Sequence, residues 1–141
     1  MNADAVRRLA LALPEAEEKS HFGKADFRVR NHIFCTLPDA DTAVVKLTRE
    51  QQEMLASTEP AIFAPAPGGW GRQGWTKVML AAADELTLKS ALLTAWRNVA
   101  PVSLRKAFDV FGSGREQPKT TDAEPAGPLA STAYLAVGRK G

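Results

Sequence analysis

Asp26-Phe27-Arg28-Val29-Arg30-Asn31-His32-Ile33-Phe34-Cys35-Thr36-Leu37, followed by Pro38-Asp39-Ala40-Asp41 and Thr42-Ala43-Val44-Val45-Lys46-Leu47, is the stretch that decides the fold. Its three short runs are rich in Val, Ile, Phe and Thr and are parted by Asn31-His32 and by 38–41, the pattern of antiparallel strands joined by turns. Side chains alternate across a strand, so Phe27 and Val29 share one face while Arg28 and Arg30 share the other. A two-residue turn at Asn31-His32 sets Arg30 opposite Ile33 and Val29 opposite Phe34. That register predicts an apolar face of Phe27, Val29, Phe34 and Thr36, and an opposite face of Arg28, Arg30, Ile33 and Cys35. On the third strand Ala43, Val45 and Leu47 alternate with Val44 and Lys46. Everything depends on the turn, because a slip of one residue exchanges the faces of the second strand.

The flanks of this meander read as helices. Residues 4–13 place Val6, Leu9, Ala10 and Leu13 on one stripe, with Asn2 as N-cap and Pro14 as the stop. The charged segment 14–20 reads as a connector and 21–24 as a short extended edge. Thr48 with Gln51 three positions on is a capping box opening a helix over 48–55, whose buried side is expected at Gln51, Met54 and Leu55. The prolines at 60, 65 and 67 make the next segment extended. The glycine-rich stretch 68–74 reads as a flexible loop, and 75–80 as a strand with Thr76, Val78 and Leu80 on one face and Trp75, Lys77 and Met79 on the other. Asp84 caps a helix running to Val99, with Leu88, Leu92, Ala95, Trp96 and Val99 on its apolar stripe, and 103–108 adds a further helical turn or two after Pro101. The fold class is therefore α+β, an antiparallel sheet with helices packed on one face. One domain is expected over 1–112. Residues 113–141, rich in Gly, Pro, Ser, Thr and Ala, are expected to form a poorly packed or disordered tail.

Composition narrows function mainly by exclusion. The 141 residues are 45% hydrophobic and 24% charged, ordinary for a globular chain with one core. No apolar run approaches the roughly 20 residues of a membrane span. The N-terminus has no secretory pattern, so a cytoplasmic location is the expectation. Cys35 is the only cysteine, which precludes an internal disulfide. His21 and His32 do not fall at zinc-ligand spacings. There is no GxSxG elbow, and the glycines at 68–74 form neither phosphate-binding fingerprint. No catalytic residue, metal site or cofactor is expected, and the chain is read as a non-enzyme.

Charge placement is more informative than the formal net charge of +2. Arg28, Arg30, Lys46 and Lys77 project from the face opposite the expected core, and Lys24 and Arg72 lie in adjoining segments. The ordinary role of such a face is to meet water. Its alternative role is to meet phosphate. Trp96 belongs to the core, Trp75 to its edge, and Trp70, among glycines, is the tryptophan expected to be exposed and to contact a ligand.

The segments Leu13-Pro14-Glu15-Ala16-Glu17-Glu18-Lys19-Ser20-His21-Phe22-Gly23-Lys24, Phe27-Arg28-Val29-Arg30, Ile33-Phe34-Cys35-Thr36-Leu37, Val45-Lys46-Leu47-Thr48 and Gly71-Arg72-Gln73-Gly74-Trp75, in that order, resemble the MmcQ/YjbR-like family over about residues 1–100. The resemblance implies a frataxin-like (CyaY-like) α-β sandwich and a double-wing DNA-binding label, with no catalytic residues to carry over.

Two readings follow. In the first, double-stranded DNA is bound weakly and salt-dependently through Lys24, Arg28, Arg30, Lys46, Arg72 and Lys77, with wings at Asn31-His32 and 68–74. In the second, the chain is a small-ligand or protein-binding module with Trp70 as a contact and no nucleic-acid role. Coordinates that put Arg28 and Arg30 beneath a helix, or pair them off individually with carboxylates, would remove the footing of the first reading.

Overall fold

Two tight turns set the register of the sheet. In the computed structural model, which describes residues 1–111, strand β1 (Ala16–His21) turns into β2 (Lys24–Val29) through Phe22-Gly23, at φ 53° and 78°. Strand β2 turns into β3 (His32–Leu37) through Arg30-Asn31, at φ 50° and 67°. Positive φ at both central residues matches the twist of the flanking strands, and Asn adopts it readily. The β2–β3 turn thus lies one residue earlier than the sequence reading placed it. Arg30 belongs to the turn rather than to the strand face.

The shift has a further consequence inside the hairpin. Val29 pairs with His32 and Arg28 with Ile33, yet Phe27 pairs with Cys35. A bulge therefore sets Phe34 and Cys35 together against Phe27. All three are fully buried. The expected exchange of Cys35 outward and Thr36 inward is corrected: Cys35 lies in the core and Thr36 is half-exposed on the other face. Burial raises the Cys35 thiol well above its usual range, so it is a poor nucleophile at neutral pH.

Strand β4 (Thr42–Lys46) and β6 (Trp75–Met79) pair antiparallel, and β5 (Phe63–Pro65) closes the far edge, giving the order β1-β2-β3-β4-β6-β5. The segment read as a charged connector is mostly β1. Its sequence, Ala-Glu-Glu-Lys-Ser-His, has no apolar alternation because among the described residues it is an edge strand, where charge is favoured.

Helices α1 (Ala3–Leu11), α2 (Arg49–Thr58) and α4 (Glu85–Val99) cover the apolar face. Val6, Leu9, Leu88, Leu92, Ala95 and Trp96 meet Phe27, Val29, Phe34, Val45 and Val78 in the core. The caps are those expected: Asn2 and Asp84 accept from Ala5 N and Thr87 N, and Thr48 and Gln51 complete the capping box. Helix α5 (Val102–Phe111) belongs to a second unit that begins at Pro101, the first ending at Ala100. The expected tail at 113–141 lies outside the described residues.

The buried side of α2 differs from expectation. Met54 is 56% exposed, whereas Gln52 is 4% exposed. The Gln52 amide nitrogen donates to Gly71 O at 3.0 Å, Trp75 O at 3.1 Å and Thr76 Oγ1 at 3.1 Å. Thr76 in turn donates to Gly74 O at 2.9 Å. One polar side chain thus ties α2 to the chain leading into β6. Gln52→Leu, which keeps the bulk but strands buried acceptors, is expected to lose about 1–3 kcal/mol in urea denaturation.

Residues 68–74 are not a flexible loop. They hold a one-turn helix, α3 (Gly68–Arg72), wedged against its surroundings. A Cβ on Gly71 would lie 2.0 Å from Ala66 O, and one on Gly74, at φ +100°, would lie 1.9 Å from Leu47 O. These glycines permit close backbone approach rather than motion.

Candidate nucleic-acid interface

The alternation that buries one face of the sheet leaves Lys24, Asp26, Arg28, Ile33, Thr36, Val44, Lys46, Trp75 and Lys77 on the other. Strand directions bring the Arg30-Asn31 turn, the end of β4, α3 and the start of β6 to the same end of the sheet. The two segments expected to act as wings therefore share one end.

The six basic residues proposed from sequence divide into two groups. In the β1–β3 half, each arginine has its own carboxylate. Arg28 Nε donates to Asp26 Oδ1 at 2.8 Å and its Nη2 to Oδ2 at 3.2 Å, a two-point fork, while Nη1 reaches Asn31 Oδ1 at 3.0 Å. Asp26 is 4% exposed. This pair is built into the sheet, and the hydrogen bond to Asp26 raises the Arg28 pKa further. Arg30 makes a two-point contact with Glu15, which raises the arginine's pKa and holds the Glu15 carboxyl below its usual range. Both arginines are thus paired off individually with carboxylates, and the DNA reading as the sequence framed it, resting on Arg28 and Arg30, loses its footing. Lys24 donates to Pro38 O at 2.8 Å, near the opposite end of the sheet.

The β4–β6 half differs. Lys46, Lys77 and Arg72 have no carboxylate partner among the described residues. Lys46 lies opposite Trp75 across the ladder, and Lys77 lies opposite Val44, two residues away on each strand. The two lysines are thus diagonal neighbours, about 7–8 Å apart at the backbone. Lys46 Nζ donates to Gln73 O and sits 5.4 Å from the Trp75 ring centroid, within cation–π range. Trp70, on α3, meets Trp75 in a T-shaped contact at 6.3 Å and 72° between planes. Trp70 is 64% exposed. Arg49 donates to Arg72 O at 3.4 Å and pairs with Glu53 on its own helix.

Trp75 is the residue the sequence reading undervalued. Sequence puts it at the core edge, although its strand parity with Lys77 places it on the charged face. Among the described residues no three His, Cys, Asp or Glu side chains gather into a metal site. No helix among them is long and apolar enough to cross a membrane.

A family model described as YjbR matches residues 11–98, a span running from the end of α1 to the last turns of α4 and including the whole sheet. The chain belongs to the YjbR family. The YjbR architecture also aligns with the crystal structure of the Deinococcus radiodurans protein DR2400, a DUF419-domain protein, at a TM-score of 0.60 and 19% identity. That alignment covers 74% of this chain and 85% of the other. At such identity the likeness speaks to fold alone. No curated protein matches the sequence.

This YjbR-family domain has a second feature on its helical side. A cavity of about 410 Å³ opens between α2 and α4 over Phe63, with Met54, Leu55 and Leu86 at its apolar lips and Ser90 and Thr94 as hydroxyls. Its volume falls in the range of about 300–1,000 Å³ typical of small-molecule sites.

Proposed function

We propose that this chain binds DNA, weakly and salt-dependently and without catalysis, through the β4–β6 half of the sheet face opposite α1, α2 and α4. The observation that carries the reading is that Lys46, Lys77 and Arg72 lack carboxylate partners among the described residues, and that they lie on β4, β6 and α3, the elements that bring Trp70 and Trp75 together. Cations left unneutralised can exchange counterions for phosphate, whereas Arg28 and Arg30 would first have to abandon Asp26 and Glu15. A cytoplasmic location is part of this reading.

The test is a titration of the full chain against DNA at low and moderate salt. Three phosphate contacts predict a slope of log affinity against log salt near about −3 on a duplex. The triple variant Lys46→Glu/Arg72→Glu/Lys77→Glu is expected to lose binding. Glu15→Ala/Arg30→Ala, which removes a neutral pair, is expected to leave it unchanged. Absence of binding at low salt ends the reading.

A second reading, a small-ligand module, is favoured by the α2–α4 cavity with its exposed Met54 and Leu86. A metabolite screen by thermal shift tests it. A stabilising compound whose effect disappears in Ala91→Trp, which fills the cavity, supports that alternative.

A further inference from the structure

We infer that the preferred DNA ligand is single-stranded, with an unpaired base stacked on Trp70. This rests on the DNA-binding reading and narrows it. A cationic face alone favours duplex, whose charge density is higher. An indole 64% exposed beside that face needs a different explanation. Trp70 is carried on closely packed backbone. Its helix is fixed by Gly71 packed on Ala66 and by the Gly74 backbone packed on Leu47. Its ring is braced at 6.3 Å against Trp75, whose own ring is flanked by the Lys46 ammonium. The arrangement is a fixed aromatic surface beside a short row of cations.

In a duplex the base faces are occupied by neighbouring bases, so an indole reaches one only if a step is unstacked. In a single strand the faces are free, and stacking on aromatic side chains beside a basic track is the usual mode of sequence-tolerant recognition. Trp70 offers the stacking surface, while Lys46, Lys77 and Arg72 offer the backbone track.

The experiment measures fluorescence anisotropy of labelled oligo-dT of about 16 nucleotides and of a duplex of equal length, each titrated with the full chain at low salt. The single strand is expected to bind about tenfold more tightly, with quenching of tryptophan emission. Trp70→Ala is expected to weaken single-strand binding by about 5- to 150-fold and to abolish the preference for single strand over duplex, and Trp70→Tyr to retain most of the affinity. Far-UV circular dichroism verifies that the variants fold. Duplex binding equal to or tighter than single-strand binding, or an unchanged Trp70→Ala, overturns this inference while the DNA-binding reading stands. Failure of both probes to bind overturns both.

Discussion

Trp96→Ala is expected to destabilise the domain by about 3–5 kcal/mol. Trp96 is the largest fully buried side chain, set on α4 among the apolar residues of the core. Its removal leaves a cavity that close-packed neighbours can only partly refill. It also deprives Pro14 O of the indole N–H that reaches it at 3.0 Å. That hydrogen bond ties the segment after α1 to α4, so the loss spreads beyond one packing site. Natural domains have only about 5–15 kcal/mol of stability in total. The variant is therefore expected to be mostly native but markedly weakened, or to unfold at modest temperature. Urea denaturation followed by far-UV circular dichroism measures it. Trp96→Phe, which keeps most of the volume and loses the N–H, is expected to cost about 1–2 kcal/mol. A loss under about 1 kcal/mol for the alanine variant would contradict the core described above.

Gly74→Ala is the second large effect, expected at about 3 kcal/mol from backbone strain and overpacking together. At φ +100° an added Cβ would lie 1.9 Å from Leu47 O, which is backbone and has no rotamer to retreat into. The same residue's carbonyl accepts from Leu47 N at 3.1 Å and from Thr76 Oγ1 at 2.9 Å. Displacing it loosens the junction among β4, α3 and β6 on which the Trp70–Trp75 contact sits. Gly23→Ala is the control. Its φ is +78° but a Cβ there meets nothing within 4 Å, so only strain of about 1 kcal/mol is expected. Equal losses for the two variants in urea denaturation would show that conformation alone, and not the clash with Leu47, sets the penalty.

The parts of the fold that could be read from sequence are those where one physical preference acts alone. Asn2, Thr48 and Asp84 cap helices because side-chain oxygens reach free N–H groups, and spacing alone reveals them. The apolar stripe Leu88-Leu92-Ala95-Trp96 is a helical period and nothing else. Errors arose where two preferences compete. Arg30 occupies a positive-φ turn position that favours Asn or Gly, because Glu15 and the strand twist outweigh its own preference. The bulge at Phe34-Cys35 breaks period two, so alternation assigned Cys35 and Thr36 to the wrong faces. Strand β1 carries charge because it is an edge, which hides it from any search for apolar alternation. Gln52 is hidden from a reading by residue type because glutamine is ordinarily a surface residue, and only the fold brings the Gly71 and Trp75 carbonyls to its amide.

The candidate site was legible in part. Lys46, Lys77 and Trp75 follow from strand parity. The neutralisation of Arg28 by Asp26 is local, two residues away on the same strand, and could have been anticipated from i, i+2 placement on one face. The pairing of Arg30 with Glu15 could not, since it depends on β1 being a strand at all.

The two margins of the sheet carry a consequence of their own. One margin is Ala-Glu-Glu-Lys-Ser-His, with Glu17, Glu18, Lys19 and Ser20 all exposed, and the other is a three-residue strand ending in Pro65, which has no N–H to give. Like-charged neighbours and a missing donor make poor templates for an incoming strand. Among the described residues, both edges of the sheet thus resist the edge-to-edge addition by which fibres grow, and offer little to a visitor that would extend the ladder. On the DNA-binding reading proposed above, contact then falls to side chains around the tryptophan corner.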